Sequence, residues 1–143
     1  MARYSLRTRS TVTTIAAACY ELRSAASDRV HLMELGLFIG AATASTYGLG
    51  RPAAIGVTPT APVTVQAHEA DPAGTAQAAV AWGTGPTVPA QFFRVVTLPA
   101  VIGSGIIWTF GANGIVIPIS SSLVVWNITA NSAVLDVYVE VDE

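Results

Sequence analysis

The stretch "VLDVYVEVD", Val134–Asp142, alternates without a break. Leu135, Val137, Val139 and Val141 share one parity, and Asp136, Tyr138, Glu140 and Asp142 take the other. Successive side chains of a β-strand point to opposite faces, so this period of two predicts a strand with one buried and one wetted face. The charge around it is unusual. From Pro72 to Leu135 the only Asp, Glu, Lys or Arg is Arg94; then four acids arrive in the last eight residues. No catalytic arrangement needs that distribution. A packed β-domain with neighbours pressed against it does.

The same period extends backwards. "LVVWNIT" (123–129) is a strand, and "ANS" turns the chain into the last one. "GIVIPI" (114–119) is a strand that Pro118 ends or confines to an edge. "GIIWTF" (105–110) precedes it across the turn "ANG". "AQFFRVVTL" (90–98), "TAQAAVAW" (75–82), "VTVQAHE" (63–69) and "CYELRSA" (19–25) read as strands between breaker-rich loops. In "RVHLMELGLFIG" (29–40), Val30 and Leu32 share one side; the parity then slips, so that Met33, Leu35, Leu37 and Ile39 line up. A slip of one residue inside a strand predicts a β-bulge.

That makes roughly eight to ten short strands, with only 12–25 a weak contender for helix, and so an all-β chain. The expected architecture is a single domain over 1–143, a jelly-roll-like antiparallel β-sandwich of about eight strands. Residues 1–12 can form an extended amino-terminal arm, although "RYSLRT" would also serve as a strand. "ATASTYGLGRPAAIGVTPTAPV" (42–63) is too apolar for a disordered linker and too broken by Gly and Pro for one strand. It reads as a long central excursion that crosses the sandwich or reaches a neighbour.

Composition narrows the function. Only 11% of the 143 residues are charged and 52% are apolar, against about 25% charged in ordinary soluble domains. A surface this poor in charge is built from small polar residues or is covered by other protein. All seven basic residues are Arg, the cation favoured in protein interfaces, where Lys is depleted. Arg3, Arg7 and Arg9 open the chain and the acids close it, which suggests head-to-tail pairing within or between subunits. Three Arg do not make a nucleic-acid surface. No window reaches the about 18 apolar residues of a membrane helix, and Ile15–Tyr20 is short for a secretion signal. Arg51, ahead of Pro52 on the excursion, is the best single candidate for an intersubunit contact.

The motifs of catalysis and metal binding are missing. His31, His68 and Cys19 have no ligand spacing, and one cysteine excludes an intrachain disulfide. "HEAD" (68–71) ends a strand and enters a Pro-Gly turn, where polar residues are expected anyway. "GSG" (103–105) is no nucleophile elbow, and "GLGRPAAIG" lacks the Lys-Ser/Thr and helix of a phosphate loop. The sequence therefore points to a non-enzymatic chain without cofactor or metal. Trp82, Trp108 and Trp126 could form a sugar-stacking platform, but packing is the commoner use of a side chain that buries about 200 Å².

From Glu34 onward the chain resembles small structural proteins of tailed bacteriophages, in "ELGLFIGAATASTYGLGRPAAIGVTPT", "AWGTGPTVPAQFFRVVTLPAVIGSGIIWTF" and "SSSLVVWNITANSAVLDVYVEVDE". The run from Trp108 to Asn127, W-x-F…G-I-x-I-P-x-S-S-S-L-V-x-W-N, is similar to the closing strands of jelly-roll modules in phage heads and fibres. The resemblance implies a virion structural protein and carries over no catalytic residue. It favours a capsid decoration protein on the capsid surface, a homotrimer contacting the major capsid protein, with Arg3, Arg7 and Arg9 as candidates for gripping the capsid. A tail, collar or fibre component is the alternative within the virion. A carbohydrate-binding β-sandwich is the alternative from another class.

Overall fold

The computed structural model describes residues 2–10, 16–69, 72–129 and 134–143. Among these residues fourteen strands follow one another: β1 (Arg3–Arg9), β2 (Ala17–Arg23), β3 (Val30–Ile39), β4 (Ser45–Gly50), β5 (Val57–Pro59), β6 (Val63–Thr64), β7 (Gln66–Ala67), β8 (Gln77–Ala79), β9 (Trp82–Thr84), β10 (Phe92–Leu98), β11 (Gly105–Thr109), β12 (Ile115–Ile117), β13 (Ser122–Asn127) and β14 (Leu135–Asp142). Among the described residues there is no helix. Every pairing is antiparallel.

One sheet has the order β11-β3-β14-β1-β7, with β12 pairing β3 beside β11; the other has the order β10-β4-β13-β2-β8-β6; β5 and β9 pair alone. With the short strands set aside, two four-stranded layers remain, β11-β3-β14-β1 and β10-β4-β13-β2. Successive long strands alternate between the layers except at β4 and β10, which are neighbours in one sheet. That is the strand order of a jelly roll, an antiparallel sandwich of two sheets. Residues 51–91 are an insertion between β4 and β10.

β14 is central in its sheet and behaves as its sequence requires. Leu135, Val137, Val139 and Val141 are buried in the core, while Asp136, Tyr138, Glu140 and Asp142 are half-buried on the outer face. Opposite them in the core lie Tyr20, Leu22, Tyr47, Leu49, Leu123 and Val125 of the second sheet. Burying each such side chain contributes roughly 1.5–3 kcal/mol. The slip in β3 is a bulge: Glu140 pairs Glu34 but Val141 pairs Leu32, leaving Met33 as the extra residue. Val30 and Leu32 before it, and Leu35, Leu37 and Ile39 after it, therefore all reach the core.

Three expectations need correction. The amino-terminus is no free arm, because Arg3–Arg9 pairs β14 along its whole length, from Arg3 opposite Asp142 to Arg9 opposite Asp136. Tyr4 and Leu6 alternate into the core and hold it there. The excursion begins later than expected, since Ser45–Gly50 is an interior strand of its sheet, with Tyr47 and Leu49 fully buried. Gly48 and Gly50 hide this alternation because their outward face is filled by Phe92 and Pro89 instead. "VTVQAHE" is not one strand; it is divided between the sheets, with β6 on β8, β7 on β1, and buried Val65 between them.

The β1–β14 seam carries the ionic network. Arg3 donates twice to Asp142, at 2.8 and 3.1 Å, and Arg9 twice to Asp136, at 2.8 and 2.7 Å. Arg7 adds a bond of 3.0 Å to Asp136. These hydrogen bonds hold both carboxyls below their ordinary pKa of 3.8, with the Arg9 bond leading at Asp136 and the Arg3 bond at Asp142. A depressed carboxyl stabilises the fold above its unfolded pKa, and that stabilisation disappears as pH falls through the folded value. Thermal melts from about pH 5 to about pH 2 should therefore show a steeper loss for the native chain than for Asp136→Asn/Asp142→Asn; parallel curves would remove the seam from the acid response.

The Tyr20 hydroxyl is buried without a hydrogen-bond partner among the described residues. Because a buried unsatisfied hydroxyl costs about 1–3 kcal/mol, Tyr20→Phe should leave the melting temperature unchanged or raise it, and a clear drop would show that the hydroxyl is satisfied.

Candidate functional site

The residues that tempt a catalytic reading do not converge. His31 has Nδ1 2.9 Å from the Asn113 carbonyl, and His68 lies elsewhere beside exposed Glu69; Asp71, the end of "HEAD", falls outside the described residues. The Cys19 S–H donates to the Val125 carbonyl at 3.2 Å, and burial pushes this thiol far up, into its unreactive form. Among the described residues no three His, Cys, Asp or Glu side chains come together as metal ligands. A half-open cleft of about 270 Å³ is lined by Arg23, Ser24, Ala25, Pro59, Thr75 and Gln77. Its one charged group is already engaged, since Arg23 donates to the Gly56 carbonyl at 3.0 Å and lies 3.8 Å from Glu21.

The tryptophans form no sugar platform. Trp108 and Trp126 are 8% and 9% exposed, and both are packed into the fold. Trp82 is half-buried and donates its indole N–H to Glu21 at 2.7 Å. Glu21 is 0% exposed and is the polar hub that the sequence did not reveal. It accepts from the Gly56 N–H at 3.0 Å, the Ser122 hydroxyl at 2.7 Å and Trp82. A side chain at Gly56 would collide with both Trp82 and the Glu21 carboxylate, so only glycine permits this approach. The hub binds the insertion to the outer face of the second sheet. Its sequence signal, an acid between Tyr20 and Leu22, looks like an ordinary solvent-facing position. Glu143 does similar work at the flank, accepting from Thr75 N–H and Ala76 N–H at 2.8 and 2.7 Å.

With the second sheet's face and the β1–β2 flank covered, the opposite flank is left open. There β10 and β11 are the free edges of the two sheets. Seven of the ten large hydrophobic side chains exposed among the described residues fall between Val88 and Ile119, the stretch that builds this flank. Phe93 is 43% and Ile102 68% exposed. A bulge in β10 explains Phe93: Phe92 pairs Gly50 and Arg94 pairs Leu49, so Phe93 is the unpaired extra residue. Arg51, expected at an intersubunit contact, lies here, with its guanidinium 5.9 Å from the Phe93 ring centre and a 2.7 Å bond to the Val116 carbonyl. Arg3, Arg7 and Arg9 are elsewhere, on the β1–β14 seam. The structure thus does not bring the four expected interface arginines together.

Unpaired strand edges beside exposed apolar groups form a surface suited to association, because another chain can satisfy both at once.

Removing a buried carboxylate strands every donor aimed at it. Glu21→Ala should cost about 3–5 kcal/mol and shift Trp82 fluorescence to the red as the indole is wetted; a native-like melt and spectrum would show that the insertion is held by other contacts. No family model matches this chain, and neither a curated protein nor a solved structure shows significant similarity to it.

Proposed function

We propose that this chain is a non-enzymatic structural subunit of a tailed-bacteriophage virion, a capsid decoration protein that self-associates, as a homotrimer, and rests on the major capsid protein. The observation that supports this most is the open β10–β11 flank. A chain this poor in charge concentrates its exposed apolar side chains beside two unpaired edges, an arrangement that costs solubility unless another chain covers it. The resemblance of Glu34–Glu143 to phage structural proteins supports the virion as the setting. Specific association needs roughly 800 Å² per partner, and repetition over a lattice multiplies weak contacts into firm attachment.

The seam arginines change the expected grip. Arg3 and Arg9 each spend two hydrogen bonds on an internal carboxylate, so the capsid contact in this reading falls to apolar groups such as Val101 and Ile102 in the β10–β11 loop rather than to a basic arm.

The test is co-sedimentation with preformed heads that lack the protein. Saturable binding, weakened by Ile102→Asp with the melting temperature unchanged, is the expected result. Binding to tails alone would reject decoration in favour of a tail, collar or fibre component.

A further inference from the structure

Two patches on this molecule are complementary in charge, and among the described residues neither meets an opposite charge within the chain. The first lies along the β10 edge. Arg3, Arg7, Arg9 and Arg23 all meet carboxylates within the chain. Arg51 and Arg94 bond only to backbone carbonyls, of Val116 and Phe93, with Arg51 also over the Phe93 ring; exposed Arg29, just before β3, meets no carboxylate among the described residues either but adjoins the other sheet, not this edge. Between Arg51 and Arg94 the β10 bulge turns out Phe93, and exposed Val95 follows.

The second patch lies on the outer face of the other sheet. Glu34 and Glu140 stand directly opposite each other in register on β3 and β14. Like charges so placed repel. Glu34 accepts from the Tyr138 hydroxyl, and neither carboxylate has an ion-pair partner among the described residues. Arg3 is near enough to Glu140 to feel its charge but is committed to Asp142. Beside the two acids the Phe38 and Tyr138 rings lie nearly parallel, 18° apart with centres 6.2 Å from each other, and exposed Ile107 borders them. Burial, the Glu34 hydrogen bond and the charges of Glu34 and Glu140 together push the Tyr138 hydroxyl up to about 12, consistent with an excess of negative charge here.

We propose that copies of this chain associate head to tail, the β10 edge of one, with Arg51, Phe93 and Arg94, docking on the Glu34–Phe38–Tyr138–Glu140 patch of the next. This rests on the self-association proposed above and names its surfaces. Cations reach two carboxylates that lack them, and an exposed ring meets an aromatic face. A symmetric edge-to-edge pairing of β10 with β10 would instead set Arg51 and Arg94 against their own copies. Because the two patches differ, the contact is heterologous, and such contacts close into rings when the rotation allows; three copies make the trimer.

Sedimentation velocity on the full chain tests this. The wild type should self-associate, more weakly at about 500 mM than at about 50 mM salt. Arg94→Glu and Glu140→Arg should each weaken association by about tenfold or more, with melting temperatures confirming that both remain folded. Arg94→Glu/Glu140→Arg, which exchanges the charges, should recover it. A 1:1 mixture of Phe93→Ser/Arg94→Ser with Glu34→Gln/Glu140→Gln should stop at a heterodimer, since each retains one intact patch and the two neutralised patches no longer complement each other. If the wild type is oligomeric and the charge variants leave it so, the head-to-tail pairing is wrong while self-association stands. If the wild type remains monomeric throughout, both are wrong.

Discussion

The alternating burial of β14 is the constraint on which the rest of the molecule depends. Its four apolar side chains close the core from one sheet, and its two edges hold β3 and β1. A shift of one residue would send Leu135, Val137, Val139 and Val141 into solvent and bury three carboxylates. The register is therefore specified by the core, and the outer-face ion pairs only add to it. Because β1 pairs β14 from end to end, the two ends of the chain meet in one sheet, and everything between must leave and return.

What leaves is distributed unevenly. The insertion between β4 and β10 adds β6 and β8 to one sheet and β7 to the other at the same flank, and Glu21 ties its β5–β9 pair to a sheet face. A buried carboxylate tolerates such a position only when its acceptor capacity is filled. Here two oxygens meet a backbone N–H, a hydroxyl and an indole N–H, with Arg23 close by. Most of the insertion covers one flank and one face, and only its ends, at Arg51 and Val88, reach the other flank. The candidate association surface is thus a consequence of where the insertion packs, as much as of the residues that line it.

Much of the fold was legible along the chain. β14 and the bulge in β3 were readable because each depends on parity, a local property. β4 was not, because Gly48 and Gly50 supply no side chain to mark the outward face, and the groups that fill it, Phe92 and Pro89, lie some forty residues away. The amino-terminal strand was obscured by its three arginines, which look like a free basic arm until Asp136 and Asp142 are placed opposite them. The candidate site was less legible still. Arg51 was singled out from its setting before Pro52, but the Phe93 beneath it depends on a bulge in a strand whose sequence shows no slip.

The sequence alone determined that the chain is built of strands, which side chains of the clearest strands face inward, and that its surface is short of charge. These follow from period and composition, which act over a few residues. Tertiary structure alone decided the strand order, the pairing of first strand with last, the burial of Glu21, and which edges were left open. Those depend on contacts between residues far apart in the chain, where the energy of any one position is set by what the rest of the fold brings against it.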